Sequence, residues 1–322
     1  MFLQANEESI AQAAEIICAG GLVAFPTETV YGLGANALDE SAVLRIFAAK
    51  GRPAGNPLIV HIAAPEDLSN IAQDAEKADP LVARFWPGPL TIILPKKPAI
   101  PDAVTAGGRT VAVRMPSHPV ALALIRAAGV PIAAPSANRS ETISPTQAEH
   151  VVESLADAVD LILDGGHTQV GLESTVIDLT EDPPRLLRPG MVLPSEIEAA
   201  LGHSLARGPA SSSQPRSPGQ MPRHYAPRTP LKVTSDIRSA LQERLPKPFG
   251  ILAFGSIDNI PVGLEIAQII LMPRDPASYA AMLYDALHDL DQASLSLILV
   301  EAVPDGDEWL AIRDRLSRAA TS

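Results

Sequence analysis

Cysteine is close to absent: Cys18 stands alone among 322 residues. One thiol makes no intrachain disulfide and builds no thiolate cage for zinc, which fits a reducing compartment. It closes Ser9–Cys18, a segment with helical apolar spacing, so its expected role is core packing. Positive charge is also in deficit, 25 Lys and Arg against 37 Asp and Glu, a formal net charge of -12. Such a chain has no global field to attract nucleic acid or an anionic membrane, so any anion must be caught by a local cluster of cations. No stretch approaches the ~18 consecutive apolar residues of a membrane span, and Met1 to Glu8 lacks a basic flank followed by an apolar run. The expected setting is cytoplasmic, with no membrane partner and no bulk nucleic-acid binding.

Length implies more than one domain, since roughly 150 residues is the usual size of one. Up to about Leu205 the chain alternates β-rich runs with helical segments. Leu22–Phe25, Leu58–Ile62, Leu90–Leu94, Thr110–Arg114 and Ser174–Leu179 read as strands, and Ser41–Ala49, Pro119–Ala128 and Thr146–Leu155 as helices. Arg207–Pro230 breaks this pattern with six prolines, three consecutive serines, four arginines and no acidic residue. Too poor in apolar groups to fold a core, it reads as an extended linker. Leu231–Ser322 reads strand, helix, strand, strand, helix, strand, helix, with 13 acidic against 8 basic residues and no obvious reactive cluster. The expected organisation is residues 1–206, 207–230 and 231–322, the last a small three-layer α/β domain.

Several chemistries are excluded by missing motifs. There is no G-x-S-x-G, H-E-x-x-H or C-x-x-C. Gly32-Leu33-Gly34-Ala35-Asn36-Ala37 imitates a dinucleotide turn, but Pro26-Thr27-Glu28-Thr29 interrupts the strand before it and Ala49–Pro57 holds no carboxylate for a ribose. His118, His150, His203 and His288 are scattered, and surface or packing roles are expected for them.

What remains is a series of polar strings that core packing does not require. Pro26-Thr27-Glu28-Thr29-Val30-Tyr31-Gly32 sets hydroxyls, a carboxylate and a phenol at a strand end. Lys50-Gly51-Arg52-Pro53 with Asn56-Pro57-Leu58 places two cations in a stiff turn, and His61 follows in the next strand. Thr110 to Arg114, Pro135-Ser136-Ala137-Asn138, Glu173-Ser174-Thr175-Val176 and Arg188-Pro189-Gly190 each add a hydroxyl, amide or guanidinium beside an apolar run. Singly, each reads as a solvated turn or an exposed strand edge. Together, Arg52, Arg114 and Arg188 at turn and strand ends of an acidic protein suggest a concave anion pocket at a sheet rim, with phosphates as the guests.

In this order the strings resemble the Sua5/YciO/YrdC family in its long form, and the resemblance spans nearly the whole chain. The linker strings Ser217-Pro218-Gly219 and His224-Tyr225-Ala226-Pro227 match as well. Two strings depart from the common pattern: Met221-Pro222 where members often carry Lys-Tyr, and His167-Thr168 where they often carry Pro-Cys. The resemblance implies a YrdC-like twisted mixed sheet around a basic cavity, plus a smaller Rossmann-like C-terminal domain. It implies a nucleotidyltransferase that condenses L-threonine, bicarbonate and ATP to threonylcarbamoyl-AMP and pyrophosphate. The product would pass to a downstream threonylcarbamoyl-transferase complex for t6A modification of tRNA adenosine 37.

Carried over by motif, the threonine side falls on Thr29, His61, Arg114, Ala134 and Ser174, with Ala134 contributing backbone. The ATP side falls on Arg52, Asn56, Thr110, Ser136, Ser144, Arg188 and Tyr225. Lys50 and Arg52 are the expected catalytic cations, and Mg²⁺ is expected to arrive with ATP, held mainly by phosphates and not by protein ligands. The chemistry joins three anionic groups, so cations and positioning take precedence over any protein nucleophile. Tyr225 and the linker arginines are expected to close over the nucleotide as a lid, a passive tether being the plainer alternative. The competing function is a double-stranded RNA-binding module using the same basic cavity. A carbamoyl-transfer module of hydrogenase maturation would bring acylphosphatase or zinc-finger segments, and none is visible.

Overall fold

The computed structural model describes residues 1–206, 225–255 and 265–320. Its larger sheet has ten strands: β1 (Phe2–Gln4), β2 (Val23–Phe25), β3 (Gly32–Asn36), β4 (Ile59–His61), β5 (Leu90–Pro95), β6 (Thr110–Arg114), β7 (Ile132–Ala133), β8 (Leu161–Asp164), β9 (Thr175–Asp178) and β10 (Arg185–Arg188). They lie in the order β1-β8-β2-β3-β7-β4-β6-β5-β9-β10, with parallel and antiparallel pairs mixed. The central strands β2, β5 and β8 carry mostly apolar runs because both faces are covered. Val23, Phe25, Leu161 and Leu163 pack under the helices Glu7–Cys18 and Pro119–Ala128, whereas Leu22, Ala24 and Ile162 join the opposite core with the helix Glu40–Lys50. Period-two alternation thus feeds two cores from one run.

The helix ends are chemically specified. Asn6 and Ser9 form a reciprocal cap at the start of Glu7–Cys18, and Asp39 caps Glu40–Lys50. Gly51, at φ 61°, ends that second helix in the left-handed conformation and swings the chain into Arg52. The Gly-x-Gly string is strand β3, not a phosphate turn. A Cβ at Gly34 would stand 2.7 Å from the Phe25 ring, so the glycine is there for close packing. Cys18 corrects the sequence reading: it lies exposed at its helix end, its Sγ donating to the Ala128 carbonyl at 3.3 Å. The helix turns its Ala13, Ala14 and Ile17 face to the core instead.

The smaller sheet is wholly parallel, in the order β11-β14-β12-β13, with β11 (Leu231–Thr234), β12 (Phe249–Phe254), β13 (Ile266–Met272) and β14 (Leu297–Glu301). Ile251 and Leu299 face the short helix Ile237–Ala240, and Leu252, Ile298 and Val300 face the helices Pro276–Gln292 and Leu310–Ala320. This is the expected three-layer domain, in the expected element order. Residues 207–224, most of the linker and with it Met221-Pro222, lie outside the described residues. Among those described, no helix is long and apolar enough to cross a membrane.

The two sheets are joined by a common apolar core, in which Val30, Ile143 and Leu172 pack with Tyr279, Leu283 and Leu287. Polar contacts surround it. His150 stacks on His288 with ring centroids 3.7 Å apart, His288 Nε2 donates to the Ser144 carbonyl at 3.2 Å, and His167 Nδ1 meets Asp285 at 3.2 Å. At Gly171, φ is 74° and a Cβ would fall 2.4 Å from the Ala280 carbonyl oxygen of the helix Pro276–Gln292. Backbone approaches backbone there, and only glycine permits it.

Gly171→Ala should therefore cost about 1 to 3 kcal/mol or more, read as a lower urea midpoint. A midpoint equal to that of the unsubstituted protein would remove this contact from the seam. Acid should also weaken the seam. Burial, then the nearby His288 and His167, push His150 down to about 3, so below its ordinary 6.5 the unfolded chain binds the extra proton. Stability is expected to be intact above pH ~6.5 and to fall as pH drops toward 3, more steeply than in His150→Gln.

Candidate functional site

One rim of the larger sheet gathers the polar strings. Strands β4 and β6 are parallel and in register, with His61 beside Arg114, so both side chains leave the same face at the same end. The loop after β2 turns on Thr27, whose hydroxyl donates to the Val30 carbonyl at 2.7 Å and accepts from the Thr29 and Val30 amides. Opposite, the Arg188-Pro189-Gly190 turn lies against the start of β9: a Cβ at Gly190 would be 2.3 Å from the Thr175 nitrogen. Between them is a cavity whose lining brings Thr29, His61, Arg114 and Ala134 together with Arg52, Ser136, Glu173, Arg188 and Tyr225.

Three arginines thus share one hollow, each under a tenth exposed. Arg52 is fixed by its own turn, Nε donating to the Asn56 carbonyl and Nη2 to that of Pro57, both at 3.0 Å. Burial, opposed by Tyr225 and reinforced by the like charge of Arg188, brings it down to about 10, so it stays cationic near neutrality. Arg188 donates from Nε to the Ser174 carbonyl at 3.0 Å and from Nη2 to Ser174 Oγ at 3.1 Å, and that hydroxyl also pairs with Thr91 at 2.7 Å. Arg114 donates from Nη1 to Thr29 Oγ1 at 2.9 Å and from Nε to the Gly88 carbonyl at 3.3 Å.

Two carboxylates balance this charge, and the sequence reading assigned a role to neither. Glu28 Oε1 is 2.7 Å from Arg114 Nη2, a contact of charges in which neither atom achieves hydrogen-bond alignment. Glu173 accepts from Ser144 Oγ at 2.6 Å, Tyr284 at 3.1 Å and Arg315 Nε at 2.8 Å. Burial raises its pKa, but Arg315 and Arg188 outweigh that and hold it below the usual carboxylate value. Both glutamates stood inside quoted strings. The missing signal was their partners, distant in sequence.

Buried polar atoms without a hydrogen bond collect here: both Glu28 oxygens, Arg114 Nη2, His61 Nδ1 and Asn56 Oδ1. Such atoms are rare in folded proteins and call for a partner that the protein itself does not supply. His61 is driven down to about 3 by burial and then by Arg114, so it offers a neutral imidazole.

Not every expected residue reaches the wall. Asn56, Ser144 and Ser174 form a layer behind it, Ser144 through Glu173 and Ser174 through Arg188. Thr110 sits at the opposite end of β6 from Arg114, paired with Pro95, away from the lining residues. Lys50 is buried behind the Ser136 loop, its ammonium donating to the carbonyls of Ser136, at 2.6 Å, and Asn138. Burial, then the nearby Arg52, pushes its pKa well below the ordinary lysine value. This geometry pins the wall instead of presenting a cation to a ligand.

A mixed α/β sheet with a rim cavity of this build, carrying a parallel three-layer tail, defines the two-domain Sua5 architecture. The Sua5/YciO/YrdC family model, described as telomere recombination, matches residues 15–190, and one described as the threonylcarbamoyl-AMP synthase C-terminal domain matches residues 192–321. The chain belongs to the Sua5/YciO/YrdC family. It is 45% identical to a threonylcarbamoyl-AMP synthase of Pyrococcus abyssi, covering 98% of this chain and 95% of that one. It is also 45% identical to a threonylcarbamoyl-AMP synthase of Bacillus subtilis, covering 99% and 94%. The crystal structure of P. abyssi Sua5 complexed with L-threonine superposes with a TM-score of 0.89 at 43% identity, covering 99% of this chain and 96% of that one.

If Lys50 acts by pinning, Lys50→Met should lower folding stability by roughly 1.5 to 3 kcal/mol through the lost charged hydrogen bonds. Denaturant titration checks this. Unchanged stability with abolished turnover would return Lys50 to direct catalysis.

Proposed function

We propose that this chain is an L-threonylcarbamoyladenylate synthase, using L-threonine, bicarbonate and ATP and releasing pyrophosphate. The observation that carries this reading is Arg114 on the wall of a cavity that Arg52 and Arg188 also line, with Glu28 held against Arg114 and hydrogen-bonding capacity unused on both. An adjacent acid and base complement the carboxylate and amine of an α-amino acid, and two further guanidiniums complement a triphosphate. The P. abyssi complex with threonine supports the same ligand here.

In the proposed mechanism Arg114 takes the threonine carboxylate, turning Nη2 from its poorly aligned contact with Glu28. The Glu28 oxygens accept from the neutral amine, whose nitrogen then bonds the bicarbonate carbon as a proton of the amine and the hydroxide of bicarbonate leave together as water. Neutral His61 offers Nδ1 as a further partner without adding charge to a site that gathers anions. Arg52 and Arg188 hold the phosphates and balance charge as the carbamate oxygen attacks the α-phosphorus and pyrophosphate departs. The Ser136 loop, pinned by Lys50, forms a fixed wall, which favours attack by positioning.

Mg²⁺ bound to the triphosphate would add Lewis-acid stabilisation of the transferred group. Glu173 is held by Arg315, and in this scheme Glu28 serves the threonine amine, so the ion is best carried by the phosphates. In this proposal residues 1–206 perform the chemistry, Tyr225 of the linker adds to the cavity wall, and 231–322 support it. The setting is cytoplasmic, and the adenylate passes to a threonylcarbamoyl-transferase complex that modifies tRNA.

The decisive experiment is threonine-dependent release of pyrophosphate from ATP in the presence of bicarbonate. Pyrophosphate release indifferent to threonine would refute the reading. Arg114→Ala should weaken threonine use by about tenfold to a hundredfold, the value of a hydrogen bond to a charged group. Serine should substitute for threonine better than valine, because a methyl is worth only ~1 to 3 kcal/mol whereas an unmatched hydroxyl site can reject about ten-thousandfold. Equal turnover of valine would contradict a hydroxyl-reading pocket.

A further inference from the structure

The tail domain offers no reactive cluster of its own, yet one of its side chains reaches the cavity wall. Arg315, in the helix Leu310–Ala320, has a side chain only 1% exposed and lies across the seam between the sheets. Its Nε donates to Glu173 Oε2 at 2.8 Å, its Nη2 donates to the Pro189 carbonyl at 3.1 Å, and its guanidinium carbon is 4.9 Å from the centre of the Tyr225 ring. Glu173 and Tyr225 line the cavity, and Pro189 directly follows Arg188, which also lines it. The remaining nitrogen, Nη1, donates to Asp314 at 2.6 Å, and Asp314 is itself held by Arg318 at 2.9 Å.

We propose that Arg315 is a positioning residue for the nucleotide flank, and that the tail domain acts on catalysis by setting Glu173, Tyr225 and the Arg188-Pro189 turn in one geometry. The proposal rests on the adenylate-synthase reading above. A guanidinium suits this task because its planar fork serves three directions at once and its face stacks on an aromatic ring, which a lysine ammonium cannot reproduce. Tyr284 adds a second tail contact to Glu173, so the carboxylate is gripped from two tail helices and, through Ser144, from the larger domain. Of the groups that Arg315 touches, Tyr225 is expected on the ATP side and Pro189 adjoins Arg188, which is expected there too, while Glu173 carries no substrate assignment. The threonine flank, Arg114 with Thr29 and Glu28, lies beyond its contacts.

The test compares four full-length variants with the unsubstituted protein: Arg315→Met, Arg315→Lys, the double variant Arg315→Met with Glu173→Gln, and Ile312→Ala. The last creates a defect in the apolar core shared by the two sheets, where Ile312 is fully buried and is not itself a lining residue of the cavity. Calorimetry gives ATP affinity, initial rates of pyrophosphate release give KM for ATP and for threonine, and thermal melts report folding. Arg315→Met should weaken ATP binding about tenfold or more, with KM for threonine changed by less than about threefold, and Arg315→Lys should shift the same way by less. Ile312→Ala should lower Tm yet leave ATP affinity within about twofold. Should Arg315→Met alone fail to fold around an unpaired Glu173, the double variant removes both buried charges and should show the same loss for ATP. ATP affinity within about twofold of the unsubstituted protein in the folded variants, or an equal loss in Ile312→Ala, would overturn the proposal. Unsubstituted protein that releases pyrophosphate without regard to threonine sinks the functional reading instead, and the two failures are separately visible.

Discussion

Three guanidiniums in one hollow repel each other, and removing each from water is costly, so the cavity exists only because acceptors surround it. The chain meets this constraint in two ways. Arg52 and Arg188 spend much of their donor capacity on backbone carbonyls and a hydroxyl, which supply partial charge at fixed points. Glu28 and Glu173 supply full charge, the first against Arg114 and the second on the cavity wall. The two glutamates are not equivalent. Glu173 is saturated by well-aligned donors and behaves as permanent structure, whereas Glu28 touches Arg114 without alignment and keeps both oxygens open. A ligand that separates Arg114 from Glu28 therefore exchanges a poor contact for good ones, and one that separated Arg315 from Glu173 would break aligned bonds.

Much of this was legible along the chain. Period-two apolar runs gave the strands of the core, and register did the rest: His61 and Arg114, 53 positions apart in sequence, meet because β4 and β6 pair in phase. Short polar strings at strand ends landed on one rim, since mixed strands bring their functional ends together there. Lys50 and Arg52 read as equivalent cations in a turn, but helix geometry separates them. Lys50 ends its helix facing inward, and Gly51 in the left-handed conformation turns Arg52 the other way. Cys18 was misjudged for a related reason, because helical spacing defines a face without saying where the face ends.

Long-range partnerships were not legible. Nothing local to Glu173 announces that its counter-ion is 142 positions away, and Arg315 sits among Asp314 and Arg318 like a residue of an exposed, salt-bridged helix. Only the fold of the tail shows that this helix presents one face to its own sheet and one arginine to another domain. Thr110 illustrates the converse. It belongs to the same strand as Arg114, but three intervening residues put the two at opposite ends, so sharing a motif does not place both at one cavity.

Burial of the cations also decides between a small ligand and a polymer. RNA backbone is recognised by cations that stand out to meet phosphates along a strand or groove, because its charges are spread over many ångströms and stay hydrated. Here Arg52, Arg114 and Arg188 are 7%, 3% and 2% exposed, recessed in a chain whose net charge of -12 repels a polyanion at longer range. A molecule small enough to enter gains all three guanidiniums at once, in surroundings where screening by salt is weak. The same recessed charge that repels itself in the free protein thus selects for compact, multiply charged guests, and the acidic exterior sharpens that choice by keeping longer polyanions away.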